Sequence, residues 1–301
     1  MDEVLRSRPA NAEERPTFKP VLGRVVTRPE SAALMRAVGA DVRAALKKPL
    51  GEPDLTGEWP AVPHNYLRDL VFGREQRRFR ILVDRRLELT PKITWSAVAA
   101  GAALWGRPAP EVALSSLARM VLEADTFEQR RFAMYLYRRV AGPICFTVAA
   151  LVTNALWLGS PLDEDVPAEY VLNEALRLLP PSWNILRVRS PEFPEVDARI
   201  GPADDVLLLP LLSHRDPELW DAPDEFRPDR WAALDPDNHP GYLPFGHSDE
   251  RCWGRHLVLP LATRVLDLAR RDGLVVDPAQ RRGKVHLDGL LEVSDVRVVR
   301  A

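Results

Sequence analysis

The spacing of apolar and polar positions predicts helices over most of the first half of the chain. From about Pro29 to Lys48, the residues Leu34, Val38, Val42 and Leu46 recur every fourth position and fall along one helix face. Pro49, Gly51 and Pro53 end that pattern. Asn65 to Phe72 reads as a short helix. Arg74 to Leu89, Thr94 to Trp105 and Glu111 to Leu122 read as further helices between proline or glycine breaks. Phe127 begins another, which runs into a stretch without charge from Val140 to Leu162. By length that stretch qualifies as a membrane span, and Arg138 and Arg139 before it suit the positive-inside pattern. Gly142, Pro143, Thr147, Thr153 and Asn154 favour a buried central helix instead, so no membrane span is expected.

Beyond Leu162 the pattern changes. Val166 to Leu179 is a short amphipathic helix stopped by Pro180 and Pro181. Asn184 to Val188 and Val206 to Leu211 read as short strands. Ser213 to Gly254 is a meander rich in Pro, Asp and His, and so long an irregular stretch inside a compact domain usually serves function. It feeds a strong helix from Arg255 to Arg271, with Leu257, Leu261, Val265 and Leu268 on one side. Arg270 and Arg271 suit its C-terminal dipole, and Gly273 suits the position after it. The fold class is mainly α with a small β component, in a single domain over 1–301 whose first twenty or so residues are loosely ordered.

Composition narrows the function classes. The 301 residues carry 41 Lys and Arg against 43 Asp and Glu, a formal charge of −2, so bulk charge gives no reason to expect a nucleic-acid partner. Cys145 and Cys252 are the two cysteines, which excludes a disulfide framework and suits a reducing, cytoplasmic setting. The charged N-terminus lacks the apolar core of a secretory signal. No Cys-x-x-Cys, His-Glu-x-x-His, Gly-x-Gly-x-x-Gly or phosphate loop occurs, and the six histidines lack zinc spacing.

Two constellations remain. In PFGHSDERCWGRH, Cys252 follows a loop bearing proline and glycine and precedes a helix, whose N-terminal amides favour a thiolate there. A thiolate is a strong iron ligand. Gly246 permits a tight turn, Gly254 lets a flat ligand approach, and Phe245 is placed to pack against the sulfur or a ring. The competing reading is a small buried hydrophobe, the commoner fate of a lone cysteine. The second constellation is Glu174 and Arg177, three apart on one helix face, with Arg230 further on in the meander. Either the three form a buried lock or they are a solvated charge cluster.

Taken in order, Glu-x-x-Arg, then Phe-x-Pro-x-Arg-Trp, then Phe-Gly ending in Cys-x-Gly before a long helix, the sequence resembles the cytochrome P450 family of haem-thiolate monooxygenases, most strongly over 166–273. The resemblance implies haem b ligated by Cys252, with Phe245, Gly246, His247 and Gly254 around the ligand. It also implies a structural triad of Glu174, Arg177 and Arg230, a propionate contact from Arg187, and a central helix crossing the haem at Ala141 and Gly142. It further implies a ferredoxin or flavodoxin donor, with Arg251, Arg255 and His256 as an acidic partner's landing point, and oxidation of a small organic molecule held mainly by residues 60–145.

There are also departures. The chain reads as a truncated member that lacks the N-terminal sheet and first helices. The acid–alcohol pair expected after Ala-Gly-x is Ile144 and Cys145, which cannot relay protons well. A usual glycine is Ser248, and a usual basic residue is Glu250, repulsive beside a propionate. These departures favour the alternative: a haem-free homologue acting as an accessory protein, or a fragment that needs a partner chain.

Overall fold

The computed structural model describes residues 26–73, 77–83, 114–187, 197–201, 204–247, 251–280, 282–287 and 289–301. The chain divides into two compact units. One holds Thr56–Pro60 and Ala150–Ala301; the other holds the described residues within Asn11–Leu55 and Ala61–Ala149.

In the second unit, helix α1 (Arg28–Leu46) starts on a capping box. The Thr27 hydroxyl accepts from the Glu30 amide, and the Glu30 carboxylate accepts from the Thr27 amide. Its buried face is Leu34, Val38, Val42 and Ala45, not Leu46. Four-residue steps overshoot a 3.6-residue turn, so the stripe regains register by a step of three. Strand β1 (Gly57–Trp59) belongs to the first unit. Next in the second unit come α2 (Ala61–Val71), α3 (Arg77–Leu82) and α4 (Ser116–Leu122). The Asp41 carboxylate on α1 accepts from the amide of Ser116, the first residue of α4, at 3.1 Å, tying the two helices together. The predicted helix from Thr94 to Trp105 and the far end of that from Arg74 lie outside the described residues.

Helix α5 (Phe127–Gly159) is the long element, with Pro143 inside it. It is long and apolar enough to cross a membrane, but 83% of its most apolar window is buried within the protein. Its buried Asn154 is spent internally. In the first unit, the Asn154 amide donates to the Leu179 and Leu291 carbonyls and its oxygen accepts from the Val293 amide.

The first unit continues with α6 (Ala168–Leu178), then β2 (Ile185–Arg187) paired antiparallel with β3 (Val206–Leu208). The predicted second strand stops early, because Pro210–Ser213 turns into a short helix, α7. A proline suits a first helical position, having no amide to give a ladder. The meander follows and is irregular apart from a 3-10 turn at Pro228–Ala232. Helix α8 (Arg255–Arg271) has the predicted bounds, and Gly273 closes it at φ 59°. Arg270 reaches the Val166 carbonyl at 2.7 Å, tying α8 to the entry of α6.

The C-terminal residues carry β4 (Leu274–Val276), β5 (Lys284–His286), β6 (Glu292–Ser294) and β7 (Val296–Arg300), none of which the sequence pattern singles out. β7 is the middle strand of a three-stranded antiparallel sheet in the order β1-β7-β4, with Glu58 opposite Arg297 and Val275 opposite Val299. Its alternation buries Val296 and Val298 and exposes Arg297.

Candidate functional site

The site is built on α6. An amphipathic helix normally turns its charges outward, yet Glu174 and Arg177 are both fully buried. Burial of a charge is tolerated only when every lone pair and proton finds a partner, and here each does. Arg177 donates from Nε to Glu174 Oε2 at 3.1 Å and from Nη2 to Oε1 at 2.7 Å. Its remaining N–H groups go to the carbonyls of His214, Pro223 and Glu225 in the meander. Glu174 Oε1 also accepts from Arg230 Nε at 3.2 Å and from the Arg227 amide at 3.0 Å, while Oε2 accepts from Trp231 Nε1 at 2.9 Å. Five donors therefore converge on one carboxylate. Arg230 lies mostly covered; burial pulls its guanidinium below the ordinary value, with Glu174 pulling the other way. Its Nη1 donates to the Asp221 carbonyl at 2.7 Å. The predicted trio is one buried network, not a solvated cluster.

Sequence reasoning missed the parts of the network that recruit backbone. His214 is fully buried: Nδ1 lies 3.2 Å from the Arg177 carbonyl, and Nε2 accepts from the Leu243 amide at 2.8 Å. That pairing requires a neutral ring protonated on Nδ1, and burial pushes its pKa down to about 3. One imidazole thus links α6 to the segment leading into the cysteine loop. The Tyr242 ring lies 5.6 Å from it, Trp220 and Trp231 pack on Tyr242, and Arg177 lies 5.0 Å over the Trp220 ring. The Tyr242 hydroxyl donates to Asn173 at 3.0 Å. Gly241 is enclosed by this cluster. A Cβ there would lie 2.8 Å from Trp220 Nε1, whose N–H is itself committed to the Ser213 carbonyl. Gly241→Ala is expected to lower stability by about 1–3 kcal/mol, read as a shift in a urea unfolding midpoint.

Leu243 leads into the loop of Cys252. Gly246 takes φ 79°, a left-handed turn that its lack of a side chain permits. Cys252 donates its amide to the Phe245 carbonyl at 2.7 Å, closing the loop just before α8. Ser248 and Glu250 lie outside the described residues, so the repulsion expected of Glu250 belongs to that part of the chain. Phe245, Gly246 and His247 are half-buried. A Cβ on Gly254 would stand 3.5 Å from Cys252 Sγ, an ordinary contact, so the protein's own atoms do not demand glycine there.

Cys252 is exposed, not walled into packing. Amides of Gly254 and Arg255 donate toward its sulfur and lower the thiol pKa, as expected at a helix start, but crowding by neighbouring atoms outweighs them and raises it. The expected thiolate is therefore a thiol in the metal-free chain, because two amides do not offset the partial loss of water. A coordinated metal ion reverses that balance. A single sulfur on an exposed residue, with amides aimed at it, fits an iron ligand.

Other predicted positions are less informative. Arg187 ends β2 opposite Val206, and the side chain that would reach a propionate is outside what the structure describes. Ala141 and Gly142 belong to the second unit. Ala141 is fully buried, and the Phe146 ring lies 3.4 Å from where a Gly142 Cβ would stand. Phe146 in turn stacks on His64 at 4.6 Å. Ile144 and Cys145 are buried, and burial raises the Cys145 thiol pKa. The landing point expected at Arg251, Arg255 and His256 is partly neutralised, since Asp237 accepts from both arginines.

The family model for cytochrome P450 matches residues 168–259. That segment contains the buried network and the cysteine loop. This part of the chain belongs to the cytochrome P450 family. Cyclooctatin synthase of Streptomyces melanosporofaciens is 38% identical over 123 residues, 39% of this chain and 27% of that protein. Cytochrome P450 3A56 of Fundulus heteroclitus is 36% identical over 104 residues, 34% of this chain and 21% of that protein. The matched region thus spans about a quarter of these relatives' length. In fold, the chain is similar to a mutant haem domain of cytochrome P450DA, with a TM-score of 0.62 at 21% identity over 89% of this chain and 73% of that one. It is also similar to CYP175A1 of Thermus thermophilus, with a TM-score of 0.56 at 20% identity over 94% and 75%. The fold is therefore that of a cytochrome P450. Ala141 and Gly142 precede the matched segment, so only the likeness of fold bears on them.

Proposed function

We propose that the protein is a haem-thiolate oxidoreductase that oxidises a small organic molecule, with Cys252 as the iron ligand. The observation that carries this reading is Cys252, an exposed residue at the start of α8, held by a loop braced on a buried Glu–Arg–Arg network. When bound, haem supplies the redox chemistry with dioxygen. The chain's own residues do the rest. Gly254 and Arg255 amides take up charge on the sulfur, the Phe245–Cys252 bond fixes the loop, and His214 braces the residue before it. In this reading the protein is cytoplasmic. It takes electrons from a ferredoxin or flavodoxin near Arg255 and His256.

A second reading has its own support. Ile144 and Cys145 stand buried where the family resemblance puts a proton-relaying pair, which suits a haem-free accessory protein or a part completed by a second chain. The deciding measurement is the absorption spectrum of protein purified with haem in excess, reduced and under carbon monoxide. Stoichiometric haem with a thiolate-type Soret band is expected, as is loss of that band in Cys252→Ala. Colourless protein overturns the first reading, and an unchanged band in the variant removes Cys252 from the iron.

A further inference from the structure

Cys252 is bracketed by Arg251 and Arg255, and both arginines reach the same distant acid. Arg251 Nη1 donates to Asp237 Oδ1 at 2.9 Å, Arg255 Nη1 donates to the same oxygen at 2.8 Å, and Arg251 Nη2 reaches the Asp237 carbonyl. The two arginine side chains are 28% and 25% exposed, so their guanidinium groups are largely held in place, whereas Asp237 is 61% exposed. The acid sits on a fixed turn. Its amide donates to Asp235 Oδ1 at 2.8 Å, and the amides of Asn238 and His239 donate to the Asp235 carbonyl. The His239 ring then stacks on Trp220 at 4.0 Å, the same indole that lies under Arg177. A continuous line of contacts therefore runs from the buried Glu174 network through the meander to the residues on either side of the sulfur, and Asp237 is its last link.

We propose that Asp237 is a positioning residue for Cys252. Its carboxylate and carbonyl tether the loop residue before the sulfur and the first residue of α8 to the meander, and so fix where the sulfur stands. The tether exists whether or not iron is present; its purpose rests on the reading of Cys252 as an iron ligand. An exposed acid adds little to global stability, so its removal loosens the cysteine loop without unfolding the chain.

The test is the rate at which iodoacetamide alkylates Cys252 in the purified full-length chain. Cys145 is fully buried and silent in the folded protein. Removing a carboxylate also alters the charge near the thiol, so the quantity compared is the plateau rate at alkaline pH, where the sulfur is fully ionised in every variant. Asp237→Ala is expected to raise the plateau at least fivefold with an unchanged urea midpoint. Asp237→Asn is expected to fall between, and Asp237→Glu to stay within twofold of the parent. A plateau in Asp237→Ala within twofold of the parent overturns the tether. So does a plateau in Asp237→Glu as high as in Asp237→Ala, since a generally loosened structure would not depend on the charge. Haem uptake measured on the same samples separates the two claims. A raised plateau in protein that takes up no haem leaves the tether standing and removes the haem reading. An unmoved plateau beside a thiolate-type band does the reverse.

Discussion

Replacing Glu174 by glutamine is expected to lower the unfolding free energy by about 3–5 kcal/mol, the largest effect of any single substitution in the site. The reason is the number of donors aimed at it. Arg177 gives two, Arg230 one, Trp231 one and the Arg227 amide one. Glutamine keeps one accepting oxygen, but its amide nitrogen brings donors against donors and leaves two guanidinium groups without a buried counter-charge. The Arg199–Asp197 pair sets the scale by contrast. At 2.6 Å it is shorter than Arg177–Glu174 at 2.7 Å, yet Arg199 is 90% exposed. Water screens it, and Asp197→Ala should leave the urea midpoint where it was. Distance alone would rank the two pairs the wrong way round; burial decides. A loss below about 1 kcal/mol in Glu174→Gln would mean that the network tolerates an uncompensated charge, and with it the bracing of the meander would fail.

How much of this was legible in the sequence depends on the range of the interaction. Helix α8 appears with its bounds because apolar spacing, two terminal arginines and Gly273 are all local signals that agree. Glu174, Arg177 and Arg230 are found as a trio by order along the chain, but spacing alone leaves them balanced between a buried lock and a solvated cluster. Only the packing of Trp220 and Trp231 over them resolves that. His214 illustrates what periodicity misses. Both its ring nitrogens serve backbone groups, and a backbone partner leaves no mark in residue identity. Asp237 is hidden for a similar reason: it is one of two aspartates in DPDNHP, distinguished by nothing except the two arginines that reach it. The C-terminal strands are three to five residues long, too short for alternation to rise above chance. The thiol of Cys252 shows a rule applied correctly and outweighed. The helix amides do lower its pKa, and partial desolvation raises it by more.

Acidification from about pH 6.5 toward pH 3 is expected to destabilise the chain by on the order of 4 kcal/mol through His214 alone. The sign follows from where its proton binds. In the unfolded chain a histidine takes up a proton near pH 6.5; in the fold, burial holds that event down to about 3. Between those values the unfolded state binds one proton more, so stability is fully present above the upper limit and is lost as pH falls. Loss runs at about 1.4 kcal/mol per pH unit per proton. His239 is shifted in the same direction by burial and nearby arginines, and adds to the slope. Carboxylates with lowered values, such as Asp235 and Asp272, act only below about pH 4. The window from about pH 6 to 4.5 therefore belongs to histidine. His214→Gln isolates its share. The substitution imposes a penalty independent of pH from imperfect hydrogen bonds, but its urea midpoint should fall less steeply on acidification than the parent's. Equal slopes in the two proteins would mean that His214 is charged in the fold. The same proton would occupy the Nε2 lone pair that now receives the Leu243 amide. Acid should therefore loosen the approach to the cysteine loop before the rest of the first unit gives way, and alkylation of Cys252, corrected for thiolate fraction, should quicken ahead of global unfolding.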